Sequence, residues 1–177
     1  MIDFKKFEKL SQTEYGTIRN LIVEEGLVAN SQIEQIIEQV TKDRFNLGKA
    51  KAGFACHKTK SLVSEANTLD ENEPEACKVI IALCYYAMYQ ACRAAVFHPH
   101  RNDLDSHEKV AYEIRNIIGE HLGKSLDFWR GLRNEVDYSP YPALEHPLEE
   151  LALKVISSAT SCLSEIEIYL SKRGVKL

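Results

Sequence analysis

From Glu75 to Phe97 the chain is apolar on nearly every side. Val79, Ile80, Ile81, Leu83, Cys84, Ala87, Met88, Ala91, Ala94, Ala95, Val96 and Phe97 are interrupted by charge or amide only at Lys78, Gln90 and Arg93. A helix with that pattern has no face suited to water, so other helices must surround it. This segment makes the fold a bundle around a buried central helix. Pro74 suits that helix's first turn, where a missing N–H costs nothing, and the acidic stretch from Leu69 to Glu75 reads as the loop before it.

The flanking sequence supplies the surrounding helices. Gly and Pro are few and fall between periodic segments, and no stretch alternates with period two. Residues 3–26 read as one or two amphipathic helices ending near Gly26. Ser31 with Glu34 forms a capping box, opening a helix to about Ala66 with a break expected near Asn46-Leu47-Gly48. Asp105 with Glu108 caps a helix to Ile118, residues 119–123 turn the chain, and a helix from Ser125 to Asp137 returns. After Pro140 to Pro147, a last helix places Leu148, Leu151, Val155, Ala159, Cys162, Ile166 and Tyr169 on one face. The expected fold is an all-α, up-and-down helical bundle over 31–177, with an N-terminal helical extension over 1–30.

Composition excludes several functions. A net charge of −4 argues against a protein that coats nucleic acid through surplus Lys and Arg. Five scattered cysteines without a CxxC pair read as reduced and mostly buried, the usage of a cytoplasmic protein. No apolar run is expected to span a membrane, and the first residues have no apolar core of a signal peptide. Cys92, His98, His100 and His107 lack the spacing of a structural zinc site, so neither metal nor cofactor is expected. The basic stretch Lys42, Arg44, Lys49, Lys51, Lys58 and Lys60 reads first as a solvated helix face, with a contribution to binding RNA phosphates as the alternative. Residues 12–40 resemble a helix–turn–helix only superficially, because Glu34 and Glu38 would repel phosphates.

The chemistry concentrates in Trp129-Arg130-Gly131-Leu132-Arg133-Asn134-Glu135-Val136-Asp137-Tyr138, followed by Tyr141. The short turn at 119–123 makes its two helices antiparallel, which sets His107 opposite the Asn134 region. His98-Pro99-His100 is expected at the same end of the bundle. The functional reading is a phosphate-binding recess. Arg133 offers a planar fork of donors, Asn134 further hydrogen bonds, and His107 or Tyr138 proton transfer. Arg130, Asp137, Tyr86 and His100 are the flanking contacts to a nucleotide or RNA. The plainer alternative pairs Arg133 with Asp137 one turn later and leaves the tyrosines as packing.

Three segments, taken in order, carry a family resemblance: Tyr85-Tyr86-Ala87-Met88-Tyr89 followed by Arg93, then Ser106-His107-Glu108, then Arg133 to Tyr138. They resemble the HEPN (higher eukaryote and prokaryote nucleotide-binding) superfamily. The likeness is to a branch of small prokaryotic proteins with a tyrosine-rich central helix, a His opening the third helix and an RxxxDY ending on the fourth. It covers residues 42–172 and leaves 1–30 outside.

That resemblance implies a four- or five-helix bundle acting as a homodimer, with two such helix ends facing across a cleft. For many members it implies metal-independent ribonuclease activity in toxin–antitoxin or defence systems. Arg133 and Asn134 match the family's Arg and the polar residue after it. The family's His does not carry over: Tyr138 stands after four intervening residues, and His146 is too distant. A phenol, titrating ordinarily near about pH 10, is a poor general base at neutral pH, which leaves His107 as the stand-in. The resemblance also allows partnership with a small nucleotidyltransferase, although Tyr138 and Tyr141 do not match the spacing of tyrosines modified in such pairs. A non-catalytic interaction module is the alternative function.

Overall fold

The structure is a computed structural model that describes residues 30–65, 73–104, 106–139, 142 and 144–177. Its order is α1 (Asn30–Glu65), α2 (Glu73–His100), α3 (His107–Ile117), α4 (Glu120–Tyr138) and α5 (Leu148–Lys172), with no strand among the described residues. The protein is an all-α helical bundle. The helices expected over 3–26, the acidic loop up to residue 72, the Asp105 cap and Tyr141 lie outside the described residues.

The bundle is organised around α2, against which α1, α3, α4 and α5 all pack. Its Ile80, Ile81, Cys84, Tyr85, Ala87 and Met88 are essentially inaccessible. Each large apolar side chain so buried contributes about 2 kcal/mol. By length and composition α2 is apolar enough to cross a bilayer, contrary to the expectation that no run approaches that limit. However, 67% of its apolar window is buried among the other helices, the place its all-round pattern assigns to it. A satellite cluster of Ile33, Ile37, Val40 and Phe97 fastens the start of α1 to the end of α2. The last helix presents Leu151, Val155, Ala159, Cys162 and Ile166 inward, as its spacing predicts. The five cysteines are free thiols, four of them buried.

Two glycines that read as breaks are instead close approaches between helices. α1 runs unbroken through Gly48, where an added Cβ would lie 2.8 Å from the Ala87 carbonyl oxygen. Gly123 lies inside α4, not in a turn. A Cβ there would come within 2.7 Å of the Ala111 carbonyl oxygen on α3. The turn is correspondingly shorter than expected, and α4 starts at Glu120. Ser106 caps α3, its hydroxyl accepting from the Lys109 amide at 3.5 Å. The expected capping box at Ser31 does not form: Ser31 is inside α1, and Glu34 instead pairs with Arg101.

Simple up-and-down alternation fails between α2 and α3. The connecting loop runs back along α2, with Asp103 bound to Arg93 and His107 reaching Tyr85 and Tyr89. α3 then heads toward the C-terminal end of α2 again, where Glu113 meets His100 at 3.3 Å. Asp103 anchors this return. It accepts from Arg93 Nε at 3.1 Å and from Arg44 Nη2 at 2.6 Å, all three side chains less than one-fifth exposed.

Candidate functional site

The site grows from three tyrosines of α2 that point in different directions. Tyr85 is fully buried, Tyr89 nearly so, and Tyr86 half-buried between α1 and α4. The returning loop lays His107 on them. Its ring stacks on Tyr89 with centroids 4.0 Å apart, and its Nδ1 meets the Tyr85 hydroxyl. Burial, the largest influence, raises the Tyr85 pKa and keeps the proton on the phenol. A buried hydroxyl proton needs an acceptor, and Nδ1 is the one within reach. Tyr85 therefore donates to Nδ1, and the neutral imidazole carries its own hydrogen on Nε2.

His107 is neutral at pH 7 for a second reason. Burial lowers its pKa, and the guanidinium groups of Arg130, Arg133 and Arg93 lower it further. Arg93 comes from α2 and the other two from α4, while Glu108 beside His107 is paired with Arg130. The native state thus takes up this proton less readily than the unfolded chain. Stability from His107 is full above the unfolded value of about 6.5 and falls as pH drops below it toward the lowered native value. The urea midpoint of the wild type should fall between pH 7.5 and 5.5 by more than that of His107→Gln. Equal slopes would remove His107 from the acid response.

Arg133 faces the other edge of the tyrosine cluster. Its Nη2 donates to the Tyr86 hydroxyl at 2.5 Å and its Nη1 to Asn134 Oδ1 at 2.8 Å. Its Nε lies 2.8 Å from Asp137 Oδ2, an ion contact in which the N–H is not aimed at the oxygen. The guanidinium carbon also lies 5.1 Å from the Tyr86 ring centroid and 5.2 Å from that of Tyr138. The intrahelical pairing with Asp137 is therefore real, and so is the convergence on Tyr86. His107 also approaches the Tyr86 ring edge-on, at 6.5 Å between centroids. Tyr138 is 73% exposed, so its hydroxyl is open to solvent.

Of the expected site residues, Arg133, Asn134, Asp137, Tyr138, Tyr86 and His107 gather on one patch. Arg130 borders it, donating to Glu108 at 3.1 Å. His100 does not belong. Because the loop doubles back, His107 meets the middle of α2, whereas His100 sits eleven residues beyond Tyr89, about 16 Å of helix away, and pairs with Glu113. His98 also lies at that far end, its pKa lowered by burial and then by Arg173 and Arg101.

Lys51, named in the sequence only as part of the basic stretch, has its ammonium 5.7 Å from the Tyr86 ring centroid, and the Tyr85 and Tyr89 seats of His107 have no counterpart in the sequence reading. The signal for Lys51 was Gly48 one turn earlier: read as a close approach, it turns the following residues toward α2. Among the described residues no cluster of His, Cys, Asp or Glu could hold a metal ion. Compared with known proteins, the chain matches no protein-family model and no curated protein.

Proposed function

We propose that the Arg133 end of α4 binds the phosphate of RNA or a nucleotide, on a HEPN-like bundle that works as a homodimer in a toxin–antitoxin or defence setting. The observation that carries this reading is the Arg133 guanidinium, held by Tyr86, Asn134 and Asp137 against two tyrosine rings with an imidazole beyond. Nη1 and Nη2 each bear two hydrogens and each makes one of these bonds. One hydrogen on each remains for an oxyanion, in the fork geometry that phosphate accepts. Asp137 fixes the fork and lowers its net charge, which favours recognition by geometry over indiscriminate attraction. Tyr138 and the Nε2–H of His107 add donors at the rim.

The same chemistry favours binding over cleavage. With Nδ1 engaged by Tyr85 and a hydrogen on Nε2, His107 has no free lone pair with which to take a proton from a ribose hydroxyl. A second reading, docking of a protein such as a nucleotidyltransferase, is favoured by the exposed aromatic residues Tyr112, Phe128 and Tyr138 on α3 and α4.

Incubating the full chain with total RNA, with and without EDTA, separates these readings when Arg133→Ala is run alongside. RNA should be retained but not cut, and the variant should bind at least about tenfold more weakly, the loss of one charge-assisted contact. Metal-independent cutting that the variant loses would assign a ribonuclease instead. Neither binding nor cutting would leave the protein-docking reading. Melting curves of both proteins confirm that the variant is folded.

A further inference from the structure

We infer that the open groove between α2 and the end of α4 is the base- and ribose-binding half of a ribonucleotide site whose phosphate lies at Tyr86, between Lys51 and Arg133. This inference rests on the phosphate-binding reading above and adds the ligand's class and orientation. The groove has a volume of about 410 Å³, with Val79, Leu83, Tyr86, Val136 and Asp137 among its lining residues. From Val79 to Tyr86 it follows seven residues of helix, about 10 Å, the length of a nucleoside.

The chemistry changes along that length in the order a nucleotide requires. At the Tyr86 end two cations approach one ring, Arg133 at 5.1 Å and Lys51 at 5.7 Å. No carboxylate among the described residues is ion-paired with Lys51, so its charge is available to an anion. The Tyr86 hydroxyl accepts from Arg133, which leaves its own hydrogen to donate outward. Next comes Asp137, whose carboxylate accepts hydrogen bonds, as neighbouring ribose hydroxyls would give. Beyond it the floor is apolar. Val79 is 45% exposed, whereas the adjoining Ile80 and Ile81 are buried, so it offers an apolar surface against which a planar base can lie. At the far end Glu75 and Lys78 neutralise one another at 2.6 Å, so no second charged group of the ligand is called for.

Calorimetric titration of the full chain with AMP, adenosine and inorganic phosphate tests the assignment, with Val79→Asp and Lys51→Ala as variants and a short oligoribonucleotide as reference. Val79 is exposed enough for Asp to be solvated, and melting midpoints confirm folding. Val79→Asp should weaken AMP about tenfold and leave inorganic phosphate nearly unchanged, because a hydrated carboxylate removes the apolar surface beneath the base while lying about 10 Å from the phosphate, where solvent and salt screen it. Lys51→Ala should weaken AMP and phosphate alike, by about fivefold, a single partly exposed cation's worth. The groove assignment falls, and the phosphate reading stands, if the oligomer binds in an Arg133-dependent way while both variants bind AMP like the wild type or the wild type ignores AMP. If the wild type binds neither AMP nor the oligomer, both fall together.

Discussion

Asp103→Ala is expected to destabilise the protein by about 3 kcal/mol, the cost of removing a carboxylate shared by two partly buried cations. The carboxylate holds Arg44 from α1 and Arg93 from α2 on its two oxygens. Arg44 and Arg93 retain only 13% and 19% of their side-chain exposure, and Asp103 retains 18%, so water replaces the lost partner only in part. Removing it leaves two guanidiniums facing each other, Arg44 over Phe97 and Arg93 over Tyr89. Asp103→Asn should lose roughly half as much, because one amide oxygen still accepts hydrogen bonds. Urea unfolding of the three proteins gives the comparison. A loss below about 1 kcal/mol for the Ala variant would mean that the triad behaves as an ordinary surface cluster.

The consequence extends to the site. Asp103 is the fixed point of the loop that carries the chain from the end of α2 back to its middle, and His107 follows four residues later. Arg101 opens this loop in the left-handed region, at φ 54°, a conformation that costs a non-glycine residue about 1 kcal/mol. The triad and the Arg101–Glu34 pair offset that cost. Without Asp103 the loop loses its reason to lie along α2, and the His107 ring its seat on Tyr89. The proposed nucleotide binding should therefore weaken in the Ala variant even where it remains folded.

That returning loop marks the limit of what the sequence discloses. The all-round apolar pattern of 75–97 suffices to place α2 at the centre, and the period of Leu151, Val155, Ala159, Cys162 and Ile166 to orient α5. Reflection about the turn near Gly119 likewise pairs α3 with α4: Glu108 meets Arg130, and Arg115 meets Asp127. Such inferences need only local period and connection length. The level at which α3 meets α2 depends on where a polar loop lies, and a loop has no period. It is decided by Asp103 finding two arginines 59 and 10 residues earlier in the chain. Hence connection length alone sets His107 on the side of Arg133, both at the Tyr86 ring, whereas His100 lies elsewhere, against Glu113. Glycine was ambiguous for a similar reason. Gly48 and Gly123 signal either a break or a close contact, and only the partner helix distinguishes the two.

Gly48→Leu should therefore destabilise the protein by about 3 kcal/mol, the upper part of the range for overpacked contacts. A Cβ at this position lies 2.8 Å from the Ala87 oxygen and 3.3 Å from the Ala91 nitrogen. Both are backbone atoms of the central helix and cannot rotate aside, so α1 must move away. The gain in helix propensity over glycine, about 1 kcal/mol, is too small to offset this. Gly53 provides the control within the same helix. A Cβ there meets nothing within 4 Å, so Gly53→Ala should stabilise by up to about 1 kcal/mol. Lys51 follows Gly48 by three residues and reaches Tyr86 only because the two helices lie this close. If the groove takes AMP as inferred, its affinity should consequently fall in Gly48→Leu at temperatures where the variant is still folded, whereas Gly53→Ala leaves it unchanged. A Gly48→Leu protein as stable as the wild type would show that the α1–α2 spacing is set elsewhere, and would detach Lys51 from the argument for the nucleotide site.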